Sequence, residues 1–258
     1  MKITYQRDSA TGVGQRAYVW PVTDADVRKL VCLPFAGGTS PAFRPLAEAL
    51  GPMWSVLAID PPGHVFGAEE PALDNVEALC DVLEDQLDPD TYADGFLLGY
   101  SVGGYVAHRL MQRWEAVDAP RPRGLILCAV NPPNRRDGHR FSEYSDDELF
   151  DLLDRLGGMH PQVRENRELF DLAQPALRAG FRAYEVAPMP SRAVRAPVLA
   201  VGGHADELAR PQNLDGWREF CPHLTIDLVD GRHIFLDDQR AALAKSLTRF
   251  ADLVEQAR

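Results

Sequence analysis

Four segments of this chain are apolar almost without interruption: KLVCLPF (29–35), GFLLGY (95–100), GLILCAV (124–130) and PVLAVGG (197–203). A strand that leaves one face in water alternates apolar and polar side chains. Unbroken runs of this kind therefore predict strands covered on both faces, as in a parallel sheet. Two further segments, SVLAID (55–60) and LTIDLVD (224–230), also read as strands. Between the six lie helical patterns near 41–50, 75–87, 103–117 and 213–220, with a closing one over 238–256. Strand and helix in alternation predict an α/β fold, a mostly parallel central sheet flanked by helices with right-handed crossovers. The leading pair, MKITYQR and RAYVWPV, predicts an antiparallel hairpin at one edge.

One stretch breaks the alternation. From about 135 to 190 the basic, turn-rich NPPNRRDGHR gives way to two helical patterns, SDDELFDLLDRLGG and ENRELFDLAQPALRAGFRAYE. Ser145 and Glu148 have the spacing of a capping box, which marks a helix start. A helical insertion between two strands leaves the sheet at its edge, and loops at strand carboxyl ends build the ligand crevice of open α/β sheets. The insertion is therefore expected to form a lid subdomain within one domain spanning residues 1–258, a length that supports a sizeable core.

Composition removes several function classes. The net charge of −11 argues against a nucleic-acid partner, which needs clustered Lys and Arg to neutralise phosphates. No apolar run approaches the length that spans a bilayer, and the opening MKITYQRDSATG lacks the apolar block of a signal peptide, so no membrane contact and a cytoplasmic location are expected. Cys32, Cys80, Cys128 and Cys221 lie far apart, without metal-ligand spacing, and predict free, buried thiols with no metal and no cofactor.

The chemistry-bearing motif is GYSVGG at 99–104. Gly-x-Ser-x-Gly alone is weak, but here a strand precedes it, and Val102, Val106, Leu110 and Trp114 follow at helical spacing. That is the strand-turn-helix setting of a nucleophile elbow, where Ser101 projects above the sheet and the Val102 amide faces a developing oxyanion. A serine needs a base and an orienting acid. His233, in VDGRHIFL between the last strand and the closing helix, is the candidate base. Asp206, in the loop after PVLAVGG, is the candidate acid, with Glu207 as a competitor. LPFAGG after the first core strand offers the Ala36 amide as second oxyanion donor. Phe35, Tyr100, His64 and Phe150 are candidate substrate contacts, and the depth of the pocket is expected to depend on the helices carrying Phe150, Leu153 and Phe170.

Together LPFAGG, GYSVGG, PALRAGFRAYE, GGHADE and GRHIFL resemble the stand-alone type II thioesterases that accompany nonribosomal peptide and polyketide synthases, over residues 29 to 250. The resemblance implies an α/β-hydrolase fold, a triad of Ser101, Asp206 and His233, and an oxyanion hole from Ala36 and Val102. It also implies carrier-protein partners, whose phosphopantetheine thioesters the enzyme would hydrolyse. The basic Arg135, Arg136 and Arg140 near the lid entrance read either as a docking stretch for such an acidic partner or as an ordinary solvated loop, and a monomer is expected. The chain departs from the family pattern in having Tyr100 and Val102 around the serine, and His64 and Val65 where an arginine usually follows the Pro-Gly pair. A carboxylesterase or lipase-like hydrolase, and a non-catalytic binding module on the same scaffold, are the competing functions.

Overall fold

The computed structural model describes residues 2–7, 14–20, 27–64, 70–136, 138–159 and 161–257; Val65 falls outside this set. In chain order the elements are β1 (Lys2–Arg7), β2 (Gly14–Trp20), β3 (Arg28–Leu33), α1 (Arg44–Leu50), β4 (Trp54–Ile59), α2 (Val76–Gln86), the single turn α3 (Pro89–Tyr92), β5 (Phe96–Tyr100), α4 (Val102–Ala116), β6 (Gly124–Cys128), α5 (Asp146–Leu156), α6 (Pro161–Glu165), α7 (Arg167–Val186), β7 (Val198–Gly203), β8 (Leu224–Val229) and α8 (Arg240–Gln256). The strands form one sheet in the order β1-β2-β4-β3-β5-β6-β7-β8. From β4 to β8 they run parallel, while β2 pairs antiparallel with both β4 and β1, making the expected edge hairpin.

The continuous apolar runs arise because successive side chains enter two different cores. Leu30 and Cys32 on β3, Phe96, Leu98 and Tyr100 on β5, and Ile126 and Cys128 on β6 pack with residues of α1 and α8. Val31 and Leu33, Leu97, and Leu125 and Leu127 pack with α2, α4 and the insertion after β6. Every residue of β5 and β6 is buried, so no exposed polar residue marks either face there. All four cysteines are free and buried, which pushes their thiols up and keeps them protonated.

Two elements differ from expectation. The pattern at 213–220 forms a 3-10 run, Pro211–Glu219, rather than an α-helix. At three residues per turn Leu214, Trp217 and Phe220 fall in one line, all three are buried, and the Trp217 Nε1–H donates to the Val130 carbonyl at 3.0 Å. The strands at 29–35 and 124–130 end early, at Leu33 and Cys128. Pro34 has no N–H to continue the ladder, and Ala129 turns away with φ +49°.

The insertion carries the capping box expected at Ser145: the Glu148 amide donates to Ser145 Oγ at 3.3 Å, and Glu148 Oε2 accepts from the Ser145 amide at 2.8 Å. Helix α5 buries Leu149, Leu152 and Leu156. Helix α7 starts one residue after Asn166, whose Oδ1 accepts from the Glu168 amide at 3.0 Å, and buries Phe170, Leu177, Phe181 and Tyr184. No helix among the described residues is long and apolar enough to cross a membrane.

His108 lies buried in α4 beside Trp217, with ring centroids 5.3 Å apart. Burial lowers its pKa from 6.5 to about 4, opposed by a hydrogen bond to the Phe220 carbonyl and aided by Arg109. Because the folded value lies below the unfolded one, the unfolded chain gains a proton first as pH falls. The contribution of His108 to stability is therefore constant above about pH 6.5 and falls by about 3 kcal/mol on the way down to about pH 4. Urea melts should therefore show His108→Gln losing about 2 kcal/mol less than the wild type between pH 7 and 4.5; equal losses would refute this account of the histidine.

Candidate active site

Every candidate catalytic group stands at the carboxyl end of a parallel strand. Ser101 joins β5 to α4 with φ +52° and ψ −120°, a conformation that side chains other than glycine rarely adopt. The bend closes because its neighbours lack side chains. A Cβ on residue 99 would lie 2.2 Å from the Gly103 carbonyl oxygen, and one on residue 103 would lie 2.5 Å from the Leu33 and Pro34 carbonyl oxygens. The Ser101 amide donates to the Cys128 carbonyl at 2.8 Å, which ties the bend to β6. The Val102 amide opens α4 and has no intrahelical acceptor, so it stays available at the positive end of the helix dipole.

His233 brings the loops together. Its Nδ1 lies 2.9 and 3.1 Å from the two Asp206 carboxylate oxygens, and its Nε2 lies 3.2 Å from Ser101 Oγ. An ionised carboxylate can only accept, so the proton resides on Nδ1 and Nε2 is left to accept from the serine hydroxyl. Asp206 is buried, and its Oδ1 also accepts from the Leu208 and Ala209 amides at 2.9 and 2.8 Å. Glu207, the competing acid, is exposed. Asp227 instead bonds Ser246 and Arg249 on α8.

Ala36, Ser101, Val102, Ala129, Asn131 and His233 line a cavity of about 10 Å³, closed from the insertion side by Phe141, Phe181 and Tyr184. Helix α7 reaches it at Gly180, where a Cβ would sit 2.7 Å from both Cα and Cβ of Ala36. None of the four candidate substrate contacts lines this cavity. Tyr100 is fully buried on the α1/α8 face of β5, and Phe35 packs edge-on against it at 5.8 Å. His64 Nδ1 lies 3.1 Å from the Pro62 carbonyl. Phe150 meets Phe170 edge-on at 5.4 Å beneath the Arg167 guanidinium, joining α5 to α7. A larger cavity, about 240 Å³, lies along α4 and the 187–191 segment and contains none of the candidate groups. Among the described residues, no group of three or more His, Cys, Asp or Glu side chains could hold a metal ion.

A serine, an acid and a histidine in this chain order on a parallel sheet are compatible with several hydrolases. A sequence model of the thioesterase domain matches residues 28–251. The chain belongs to the thioesterase family. It is 30% identical over 227 residues to the thioesterase PikA5 of Streptomyces venezuelae, covering 85% of this chain and 79% of that one. BorB, a type II thioesterase from the borrelidin biosynthetic cluster, shares its fold with a TM-score of 0.81 and 29% identity over 91% of this chain and 97% of its own. YbtT, a type II thioesterase from the yersiniabactin NRPS/PKS pathway, does so with a TM-score of 0.78 and 29% identity, over 92% of this chain and 98% of its own. The family and its α/β-hydrolase fold make this chain a thioester hydrolase.

The sequence reading passed over Asn131. Its Nδ2 donates to the Leu208 carbonyl at 2.7 Å and its Oδ1 accepts from Asn213 at 3.0 Å, so it braces the loop that holds Asp206. The available signal was its place directly after a buried strand, level with the other candidate groups. The fit of α7 against Ala36 yields a test. In this thioesterase Gly180→Ala should destabilise by about 1–3 kcal/mol in urea melts and, by shifting the Ala36 loop, lower kcat/KM for thioester hydrolysis about tenfold or more; unchanged kinetics would show that the contact is immaterial.

Proposed function

We propose that this thioesterase hydrolyses acyl groups from the phosphopantetheine arm of carrier proteins, clearing stalled or misloaded natural-product synthases in the cytoplasm. The observation that carries the reading is the imidazole of His233, held in one tautomer by Asp206 with Nε2 on Ser101 Oγ. Nε2 takes the hydroxyl proton as Oγ attacks the thioester carbonyl, and Asp206 stabilises the imidazolium. The amides of Ala36 and Val102 receive the oxyanion. As the tetrahedral intermediate collapses, the C–S bond breaks and the imidazolium protonates the departing pantetheine sulfur. A water, deprotonated by the same nitrogen, then cleaves the acyl-serine ester and restores Ser101.

A cavity of about 10 Å³ has room for a single water. The insertion, roughly residues 135–190, supplies Phe141, Phe181 and Tyr184 to the wall of this space, and its helices act as the lid. The likeness to BorB and YbtT supports the carrier-bound substrate, since they are described as type II thioesterases of a biosynthetic cluster and of an NRPS/PKS biosynthetic pathway. The basic stretch divides its work. Arg136 donates to the Tyr184 and Glu185 carbonyls at the end of α7 and lies over the Tyr105 ring, so it fastens the lid. Arg135 and Arg140 are exposed and suit an acidic carrier protein.

Ser101→Ala should fold as the wild type does, fail to react with a fluorophosphonate, and lose at least about a thousandfold in hydrolysis of an acyl-carrier thioester; near-normal turnover would sink the assignment. The double charge reversal Arg135→Glu and Arg140→Glu should raise KM for acyl-carrier substrates and flatten its salt dependence, while leaving hydrolysis of a small acyl-pantetheine unchanged. Identical salt profiles for variant and wild type would remove these residues from docking.

A further inference from the structure

The residue before the serine has a use that no substrate contact explains. Tyr100 is the last residue of β5, and strand parity directs its ring into the α1/α8 core, away from the cavity that Phe141, Phe181 and Tyr184 close. There its hydroxyl donates to the His233 carbonyl at 2.6 Å and accepts from the Phe235 amide at 3.0 Å. Both backbone groups belong to the three residues centred on Ile234, so one phenol satisfies the chain on both sides of that residue. The ring is braced by Phe35 at 5.8 Å and Phe235 at 5.2 Å, and it meets the imidazole of His233 edge-on at 6.4 Å. From the other side, the Ile234 amide donates to the Leu156 carbonyl at 3.0 Å, and Arg232 Nη1 donates to the Asp154 and Arg155 carbonyls at the end of α5. The contacts through Ile234 and Arg232 depend on a helix of the insertion, whereas the tyrosine stands on the sheet.

We infer that Tyr100 is a positioning residue for the reaction: its hydroxyl fixes the backbone of the His233 loop to β5 and so keeps Nε2 at Ser101 Oγ whatever the insertion does. The inference rests on the triad reading above. Complete burial pushes the phenol well above its ordinary range, so it remains a neutral donor and acceptor wherever the enzyme is stable. Without the hydroxyl, the His233 carbonyl and the Phe235 amide lose their shared partner, and the loop is free to relax toward α5.

The test compares Tyr100→Phe with Tyr100→4-aminophenylalanine, which keeps the ring shape and a donor toward the His233 carbonyl. On an acyl-carrier thioester, Tyr100→Phe should lower kcat about 10- to 100-fold, the scale of a misplaced catalytic group, with KM changed by less than about twofold. The amino variant should recover to within about threefold of the wild type. In a His233→Ala background, Tyr100→Phe should leave the residual rate unchanged, because the group through which it acts is gone. Full activity of Tyr100→Phe, or an equal further loss in the His233→Ala background, overturns the inference. If Tyr100→Phe does not fold, the amino variant decides the matter: folded and slow by more than about tenfold, it refutes the role. Ser101→Ala in the same assay separates the two levels. An inert Ser101→Ala beside a fully active Tyr100→Phe removes the tyrosine's role alone, and an active Ser101→Ala overturns the triad reading and this inference with it.

Discussion

The first turn of α4 lies so close to the ends of β3 and β5 that backbone carbonyls occupy the space where Cβ atoms of residues 99 and 103 would be. That contact dictates the placement of the candidate nucleophile. It forces Ser101 into its left-handed conformation, lifts the side chain clear of the sheet, and sets the Val102 amide beside the loop that carries Ala36. The Ser101 amide, bonded to Cys128, then fixes the bend against β6, from whose end Asn131 reaches across to the loop of Asp206. The serine and both candidate amides thus take their positions from the packing of one helix on three neighbouring strands, while the acid is held beyond β7 by the Leu208 and Ala209 amides. The histidine arrives separately, from beyond β8, and is held by its own set of hydrogen bonds.

How much of this was legible depends on whether a feature is written in local pattern. The parallel sheet was, because strands buried on both faces need unbroken apolar runs. The order of Ser101, Asp206 and His233 was too, because each stands just past a recognisable strand. The same apolar runs hide which face a residue takes. Nothing in GFLLGY distinguishes the α1/α8 side from the insertion side, so Tyr100 read as a pocket residue although its parity with Phe96 and Leu98 turns it away. The neighbours of Phe150 were hidden for a similar reason. Helix α5 directs Leu149, Leu152 and Leu156 inward, which leaves Phe150 to meet Phe170 from the side. The 3-10 run at 211–219 escaped because Leu214, Trp217 and Phe220 fit a three-residue spacing as well as a helical one, and the choice is made by the distant Val130 carbonyl.

Charge on the insertion shows the same dependence on distant partners. The sequence places Arg136 in a basic stretch, while Arg178 on α7 and Arg232 beyond β8 are cations it assigns no role. In the fold each points at backbone carbonyls: Arg136 at the end of α7, Arg232 at the end of α5, Arg178 at Ser142. Cations at the carboxyl ends of helices α5 and α7 also oppose the helix dipoles there, so they hold the insertion together electrostatically as well as by hydrogen bonds. The basic groups left for an external partner are correspondingly fewer than the sequence suggests.

The two cores of the sheet give the site a division of labour. Groups around the cavity, Phe141, Phe181 and Tyr184, belong to one core, whereas Tyr100, Phe35 and Phe235, around the histidine loop, belong to the other. The sheet acts as a partition between them. Substitutions on the insertion side can reshape the chamber without loosening the anchor of the imidazole, and substitutions on the far side can retune that anchor without changing what fits above the serine. A lineage that kept this partition could change its acyl group one side chain at a time while the proton-transfer geometry stayed in place.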